Sequence, residues 1–332
     1  MKVLPILIVA GLLTTAYFSF SSTSTDELDF HFTQFTTQFN KNYQNEDEYS
    51  FRKSIFEENL KKINEHNAKG LSWTLGTNEF TDWTDEEYKK LLGLRGSSSN
   101  QESDKIGMLP TNCKKLPRKS IDYRETNRVG PVVNQGSCGS CWAFSAVAGL
   151  EAAYAKETGE FVKFSEQHIV DCDRFSHGCE GGLMTNGFIH WMRHSPVREE
   201  DYPYTARDGK CKENSIDSEF DVLTAGYRVD VTHECLYEAL SHNVVSVSIR
   251  AENFDFRSYR GGVIEGKGCG TDLDHGVTLV GYDADEDAWI VRNSWGAGWG
   301  EDGYVRIRRG EDYGVCGINQ QNAQAVYDPS EY

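Results

Sequence analysis

The chain has 332 residues, 38% apolar and 12% aromatic, enough for one large packed domain plus an appendage and unlike a disordered polymer. Its net charge of −17 lies mostly in the main body: residues 1–115 hold 13 Lys/Arg against 16 Asp/Glu, and residues 116–332 hold 21 against 35. So acidic a body disfavours nucleic acid and anionic membrane surfaces as partners, because both are polyanions.

At the N-terminus, Met1-Lys2 leads into "VLPILIVAGLL" and then small residues from Ala16 to Ser22, the layout of a signal peptide over residues 1–21. The apolar run is short for a membrane span, which needs about 20 residues. Secretory entry makes disulfides the default for the nine cysteines, Cys113, Cys138, Cys141, Cys172, Cys179, Cys211, Cys235, Cys269 and Cys316. Nine is odd, so at least one thiol stays outside the intrachain bonds.

Residues 26–95 form a charged, cysteine-free region of helical pattern. Large apolar residues recur at helical spacing from Phe30 to Asn67 and stop near Gly70. In "TDEEYKKLLG", Thr84 and Glu87 make a capping box and Gly93 is the expected helix stop. "RGSSSNQESDK", residues 95–105, is a polar linker and an expected site of proteolytic nicking.

After Leu116 glycine, tryptophan and cysteine dominate. The Ala-rich "CWAFSAVAGLEAAYAKET" predicts a helix from Cys141 to about Thr158, with Ser140 as N-cap and Gly159 as terminator. A second helix is expected around 183–194. Beyond residue 220, "VVSVSI", "GVTLVGY", "AWIVRNSW" and "GYVRIRR" read as strands. An α-rich half followed by a β-rich half predicts two lobes with a cleft between them.

A thiol opening a helix meets converging backbone N–H groups and the positive end of the dipole, so Cys141 is expected to carry a lowered pKa. Cys138 lies outside the helix and lacks that advantage. A nucleophilic thiolate also needs an imidazole and a group that orients it. His168, His190 and His194 fall in helical patterns and are read as ordinary surface or core residues. His275, preceded by Asp274, opens the strand "HGVTLVGY", and Asn293 begins the turn after another strand. An asparagine carbonyl there fixes the imidazole tautomer without adding charge, and Trp295 and Trp299 are placed to shield that bond. Gln135, six residues before Cys141, supplies a side-chain N–H that with the Cys141 backbone N–H makes a two-donor oxyanion hole, each donor worth about 3 kcal/mol of barrier.

These motifs resemble the papain family of cysteine proteases, on its cathepsin L-like side. "CGSCW" matches that family's signature, with His275 134 residues and Asn293 152 residues after Cys141. "CEGGLM", "DHGVTLVGY" and "NSWGAGWGEDGY" follow in the family's order. Upstream, Glu48, Arg52, Phe56, Asn59, Ile63 and Asn67 fit the helix of its inhibitory propeptide, with Glu48 and Arg52 spaced to pair. Gly76, Asn78, Phe80 and Asp82 fit the propeptide's strand.

The resemblance implies an α+β, papain-like two-lobed fold, a helical lobe and a β-barrel-like lobe with a cleft between, preceded by a helical propeptide domain. It divides the chain into a signal peptide (1–21), an inhibitory propeptide (26–95), a linker and processing region (96–115) and a peptidase domain (116–332) starting near Leu116. Cys141 attacks the peptide carbonyl, His275 protonates the leaving amine, Asn293 orients His275 and Gln135 binds the oxyanion. Gly181 and Gly182 bind substrate backbone; Leu183, Met184 and Ser248 line the pocket for the second residue upstream of the cut; Asp274 and Trp299 complete the substrate contacts. The base of that pocket falls around Asn319 to Gln321. Disulfides carry over as Cys138–Cys179, Cys172–Cys211 and Cys269–Cys316. Cys113 and Cys235 either pair or stay apart; the reading taken is a buried free Cys235, with Cys113 leaving with the propeptide. No metal or cofactor is implied. The partners are protein and peptide substrates, the chain's own propeptide and cystatin-type inhibitors, and a monomer in an acidic lysosome-like compartment or outside the cell is expected. The competing readings are an inactive papain-like binding protein, an inhibitor built on the propeptide alone, and a thioredoxin-like redox protein, which Cys138-x-x-Cys141 suggests but the sequence context does not support.

Overall fold

The computed structural model describes residues 25–95, 106–113, 118–266 and 269–331; the expected signal peptide, most of the expected linker and the expected start at Leu116 lie outside them. The chain divides into two compact units, residues 1–42 and 43–332. The first contains α1 (Thr25–Gln38), on which Phe35 stacks with Phe32 and packs at a tilt on Phe39 just beyond the helix.

The second unit opens with α2 (Glu46–Asn67), capped by the Asn45 side chain on the Glu48 backbone N–H. The helical pattern from Phe30 to Asn67 is therefore two helices, not one. The Asn-rich "FNKNYQN" between them explains the break, because asparagine satisfies turn backbone with its own side chain. Phe56, Asn59, Ile63 and His66, spaced at three and four, form the buried stripe of α2. Arg52 makes the expected ion pair with Glu48 only loosely, at 3.9 Å, and its main partner is Glu87, which takes a bidentate pair at 2.6 and 2.7 Å.

Next come β1 (Trp73–Leu75) and α3 (Asp85–Lys89), the latter with the expected Thr84–Glu87 capping box. Two expectations fail here. Residues 76–82 turn rather than extend, because Asn78 and Thr81 side chains take the backbone hydrogen bonds a strand would need. Gly93 is not the stop of α3, which already ends at Lys89 with Lys90 as its C-cap; its purpose is described with the site below.

The rest of the chain follows as β2 (Ile121–Asp122), α4 (Cys141–Thr158), α5 (Glu166–Cys172), α6 (Met184–Trp191), β3 (Ala225–Val229), α7 (His233–His242), β4 (Val245–Ile249), α8 (Phe254–Arg257), β5 (Tyr259–Ile264), β6 (His275–Asp283), β7 (Ala288–Arg292), β8 (Tyr304–Arg308) and β9 (Asn322–Val326). α4 is apolar on nearly every side and is buried accordingly, ending at Gly159 in the left-handed region (φ 79°). α4, α5 and α6 build one lobe around Trp142, Phe164, Phe188 and Trp191. The strands build the other, in the order β1-β5-β8-β7-β6-β4-β9-β3 with β2 against β6. All named pairings are antiparallel except β5–β8. β1 adds to the sheet edge at β5, and Phe80, Tyr88, Leu91 and Leu92 join the core of that lobe, so the N-terminal segment shares its hydrophobic interior.

All nine cysteines lie among the described residues. Three disulfides form as the resemblance implied, and Cys141 is free. The reading of Cys113 and Cys235 is corrected: they are bonded to each other. Residues 107–109 run beside β3, exchanging backbone hydrogen bonds with Arg228 at 2.8 and 2.9 Å, and this lays Cys113 against the first turn of α7. A cut at Leu116 would consequently leave the upstream segment attached through that bond.

Candidate active site

The two lobes meet where α4 and β6 begin. Ser145 Oγ donates to the Val277 carbonyl at 2.7 Å and Ser246 Oγ to the Ser145 carbonyl at 2.8 Å, tying α4 to both central strands. The Cys138–Cys179 bond and the Gly139 N–H on the Cys179 carbonyl (2.9 Å) hold the loop that delivers Cys141. Ser140 is the N-cap residue of α4 but not a side-chain cap, since its hydroxyl pairs with that of Tyr204 at 2.6 Å. The backbone N–H groups of Trp142 and Gly276 face the Cys141 sulfur instead, the latter at 3.4 Å.

His275 is the residue before Gly276, so the strand that brings an N–H to the sulfur also brings the imidazole to that end of the cleft. Its Nε2 lies 2.8 Å from Asn293 Oδ1. That oxygen also accepts the Ser294 N–H at 2.8 Å, which fixes the amide orientation and assigns the proton to Nε2. His275 Nδ1 is left without a hydrogen-bond partner. Trp295 stacks on the ring at 4.7 Å. Trp299 does not reach it: it is buried behind, donating to the Arg257 carbonyl and packing on Phe256 and Tyr259. Trp295 is thus the tryptophan at the cleft, and its place two residues after Asn293 was the available signal.

Gln135 is held from behind, its Oε1 accepting from Ser294 Oγ (2.7 Å) and Trp295 Nε1 (3.1 Å). Its Nε2 therefore points forward, to the Leu91 carbonyl at 2.9 Å and the Cys138 carbonyl at 2.7 Å. Residues 91–95 fill the cleft from there on. Gly182 donates to the Gly93 carbonyl at 2.9 Å and accepts from Arg95 N–H at 3.1 Å, while Leu94 N–H donates to the Asp274 carbonyl at 3.0 Å. The Leu94–Gly182 bridge is parallel. Gly93 is required by contact: a Cβ there would stand 1.7 Å from the Gly139 carbonyl oxygen. Above Trp295, Phe80 and Tyr88 close the roof at ring separations of 5.4 and 5.6 Å.

This cover changes the electrostatics expected from a helix start. Burial pushes the Cys141 thiol up to about 11 against the opposing pull of the Gly276, Gly93 and Trp142 N–H groups. Burial likewise pushes His275 down to about 4, opposed by its bond to Asn293. Under the segment, thiol and imidazole are both neutral across ordinary pH. Asp274 is raised to about 6 by burial, although its carboxylate accepts the Ala251 and Glu252 N–H groups.

Beside the cleft lies a cavity of about 300 Å³, lined on one side by Leu183, Met184 and Val231 and on another by Met108. Its far wall is polar, with Gln320, Gln321 and Asn322, at the place the base was expected. Asn319 is not part of it, being fully buried with its amide on the Asp312 carbonyl. Nor is Ser248, which pairs with Gly276 inside the sheet.

A thiol and an imidazole brought together between two lobes, with a segment of the same chain laid over them, define a cysteine hydrolase kept shut. Comparison with known proteins agrees. Residues 117–326 match the papain family cysteine protease model, and residues 32–88 match the cathepsin propeptide inhibitor domain. Cysteine protease XCP2 of Arabidopsis thaliana is 41% identical over 90% of this chain and 86% of its own length; papaya proteinase 4 of Carica papaya is 40% identical over 89% and 86%. Among solved structures, digestive procathepsin L2 from the larval midgut of Tenebrio molitor superposes with a TM-score of 0.82 at 34% identity, covering 90% of this chain and 99% of that one. The proform of Amb a 11, a ragweed pollen cysteine protease, gives 0.81 at 33%, covering 92% and 96%. The chain belongs to the papain family of cysteine proteases. It is a cysteine endopeptidase made as a zymogen, with its own propeptide as intramolecular inhibitor.

The Gly93 contact yields a direct expectation. Gly93→Ala should displace residues 91–95, and the full-length protein should hydrolyse a fluorogenic peptide at neutral pH roughly 10-fold faster than the parent, equivalent to about 1.4 kcal/mol of lost inhibitory contact. An unchanged rate before processing would count against the close approach.

Proposed function

We propose that Cys141 is the nucleophile, His275 the proton carrier, Asn293 its orienting partner and Gln135 an oxyanion donor. The observation that carries this reading is the Gln135 amide already bonded to a backbone carbonyl in the cleft, the kind of oxygen it would hold during peptide cleavage. The Cys141 sulfur bonds to the substrate carbonyl carbon, and negative charge moves onto the oxygen facing Gln135 Nε2 and the Cys141 N–H. His275 Nδ1 takes the proton from the Cys141 thiol as the sulfur attacks, its Nε2–H staying on Asn293, and passes that proton to the departing amine as the C–N bond breaks. Water, deprotonated by His275, then releases the acyl group and restores the thiol.

Gly182 supports a substrate held by strand-like backbone bonds, since it makes such bonds to residues 93 and 95. Gly181 sits beside it, and the Asp274 carbonyl offers a further acceptor. Apolar or aromatic side chains two residues upstream of the cut suit Leu183 and Met184, with the polar far wall favouring a partner for its amides. Trp295 takes the leaving side of the peptide. The enzyme passes through the secretory pathway to an acidic lysosome-like compartment or the outside, works as a monomer and is open to cystatin-type inhibitors. Active-site titration with a peptidyl thiol reagent should label the matured parent stoichiometrically and leave the Cys141→Ala protein unlabelled and without peptidase activity. Persistent activity in that variant would remove Cys141 from the role.

Acid activation rests on the propeptide's ion pair. The Arg52 guanidinium holds Glu87 at about 2, below its ordinary 4.5. A depressed carboxyl contributes stability that is complete above its unfolded value and is lost as pH falls through the folded one, here between 4.5 and about 2. In the full-length Cys141→Ala background, the thermal midpoint should fall across that window, and Glu87→Gln should lower it at neutral pH while flattening the fall. Identical pH profiles with and without the substitution would exclude this pair as the acid trigger.

A further inference from the structure

Away from the cleft, the α-helical lobe gathers the histidines that sequence reading set aside. His168 stands on α5, His190 on α6, and His194 on the turn continuing α6, where its N–H still bonds the His190 carbonyl at 2.9 Å. His190 and His194 are four apart and face one way, with stacked rings 4.6 Å apart. Glu213 enters from the segment after Cys211. We infer that these four side chains form a divalent-cation site, of the class that takes Zn²⁺, separate from the peptidase centre.

The distances carry the argument. Glu213 Oε2 lies 3.7 Å from His168 Nε2, 3.8 Å from His190 Nε2 and 3.5 Å from His194 Nδ1. His168 Nε2 and His190 Nε2 are 3.5 Å apart. Zinc bonds of about 2.0–2.2 Å in tetrahedral geometry place ligand atoms about 3.3–3.5 Å from one another, close to the separations found. They are too long for good hydrogen bonds, and Glu213 Oε2 is a buried oxygen with no hydrogen-bond partner among the described residues. A buried carboxylate oxygen that three imidazole nitrogens surround but do not bond is what a small cation between them would satisfy.

Donor chemistry and scaffold agree. Three imidazoles and one carboxylate are a borderline-soft set suited to zinc rather than calcium or magnesium. Cys172 also lies within ligand distance of His168 and Glu213 but is spent on its bond to Cys211. That bond fixes the backbone two residues before Glu213, and so holds the carboxylate against α5 and α6. His168 and His190 are buried at 1% and 4% exposure, whereas His194 at 43% leaves a way in. No residue of the propeptide belongs to the cluster, so the proform and the matured enzyme carry the same site.

The test uses the full-length, untagged chain carrying Cys141→Ala, which removes the other soft ligand and prevents self-cleavage. After chelator treatment it is titrated with Co²⁺ and with Zn²⁺. The expected result is one equivalent bound, the visible spectrum of four-coordinate cobalt without a thiolate band, and a zinc-dependent rise in the thermal midpoint. His194→Ala, at the exposed edge of the cluster, should fold normally and bind about 10-fold or more weakly, and Glu213→Gln should do the same. No stoichiometric binding in excess metal overturns the site, as does binding that survives both substitutions, and Glu213 then belongs to a metal-free imidazole–carboxylate network.

Discussion

Everything about the closed enzyme depends on the desolvation of one sulfur atom. Cys141 sits at the first turn of α4 with backbone N–H groups turned towards it, an environment that lowers a thiol's pKa in water. Residues 91–95 take the water away, and burial then outweighs those dipoles, leaving a protonated thiol beside a neutral imidazole. On the proposed mechanism the propeptide inhibits twice: it fills the cleft, and it holds the pair in the wrong charge state for attack.

The remainder of the fold maintains that arrangement. α4 is buried almost throughout, so its start cannot drift, and Ser145 and Ser246 fasten it to β6 and β4. Asn293 is held by Ser294 and Gln135 by Ser294 and Trp295, so neighbouring residues in one turn orient both polar side chains. The propeptide is attached by its own core: Phe80, Tyr88, Leu91 and Leu92 join the hydrophobic interior of the strand lobe, and buried Arg257 meets Asp85 at 3.0 Å. Burial supplies the attachment energy, and the proposed acid response is assigned to the Arg52–Glu87 pair at its edge.

Most of the fold was legible because its signals are local. The helix from Cys141 to Gly159, the Thr84–Glu87 capping box and the four strand runs are written in propensity, capping and alternation. One failure was of local turn chemistry and two were of distant contacts. Residues 76–82 looked extended until Asn78 and Thr81 turned the backbone with their side chains. Gly93 looked like a helix terminator because contact with Gly139, 46 positions on, is invisible in a local window. Cys113 pairs with Cys235 only because residues 107–109 lie along β3, a pairing no spacing rule specifies. The candidate site was legible as a set of residue types: Cys141, His275 and Asn293 each sit at an element boundary, and Gln135 lies in the loop six residues before α4. The assignment of the shielding ring to Trp295 rather than Trp299 needed the turn in three dimensions. The thiol's raised pKa needed the propeptide in place.

The central claim is that residues 91–95 keep Cys141 protonated by excluding water. It is tested most directly by the rate at which a small alkylating reagent modifies Cys141, followed by mass spectrometry from pH 5 to pH 9 before and after propeptide removal. Slow, nearly pH-independent alkylation in the zymogen, rising by orders of magnitude and showing a thiolate–imidazolium plateau in the matured enzyme, is the predicted result. Equal rates in the two forms would contradict it.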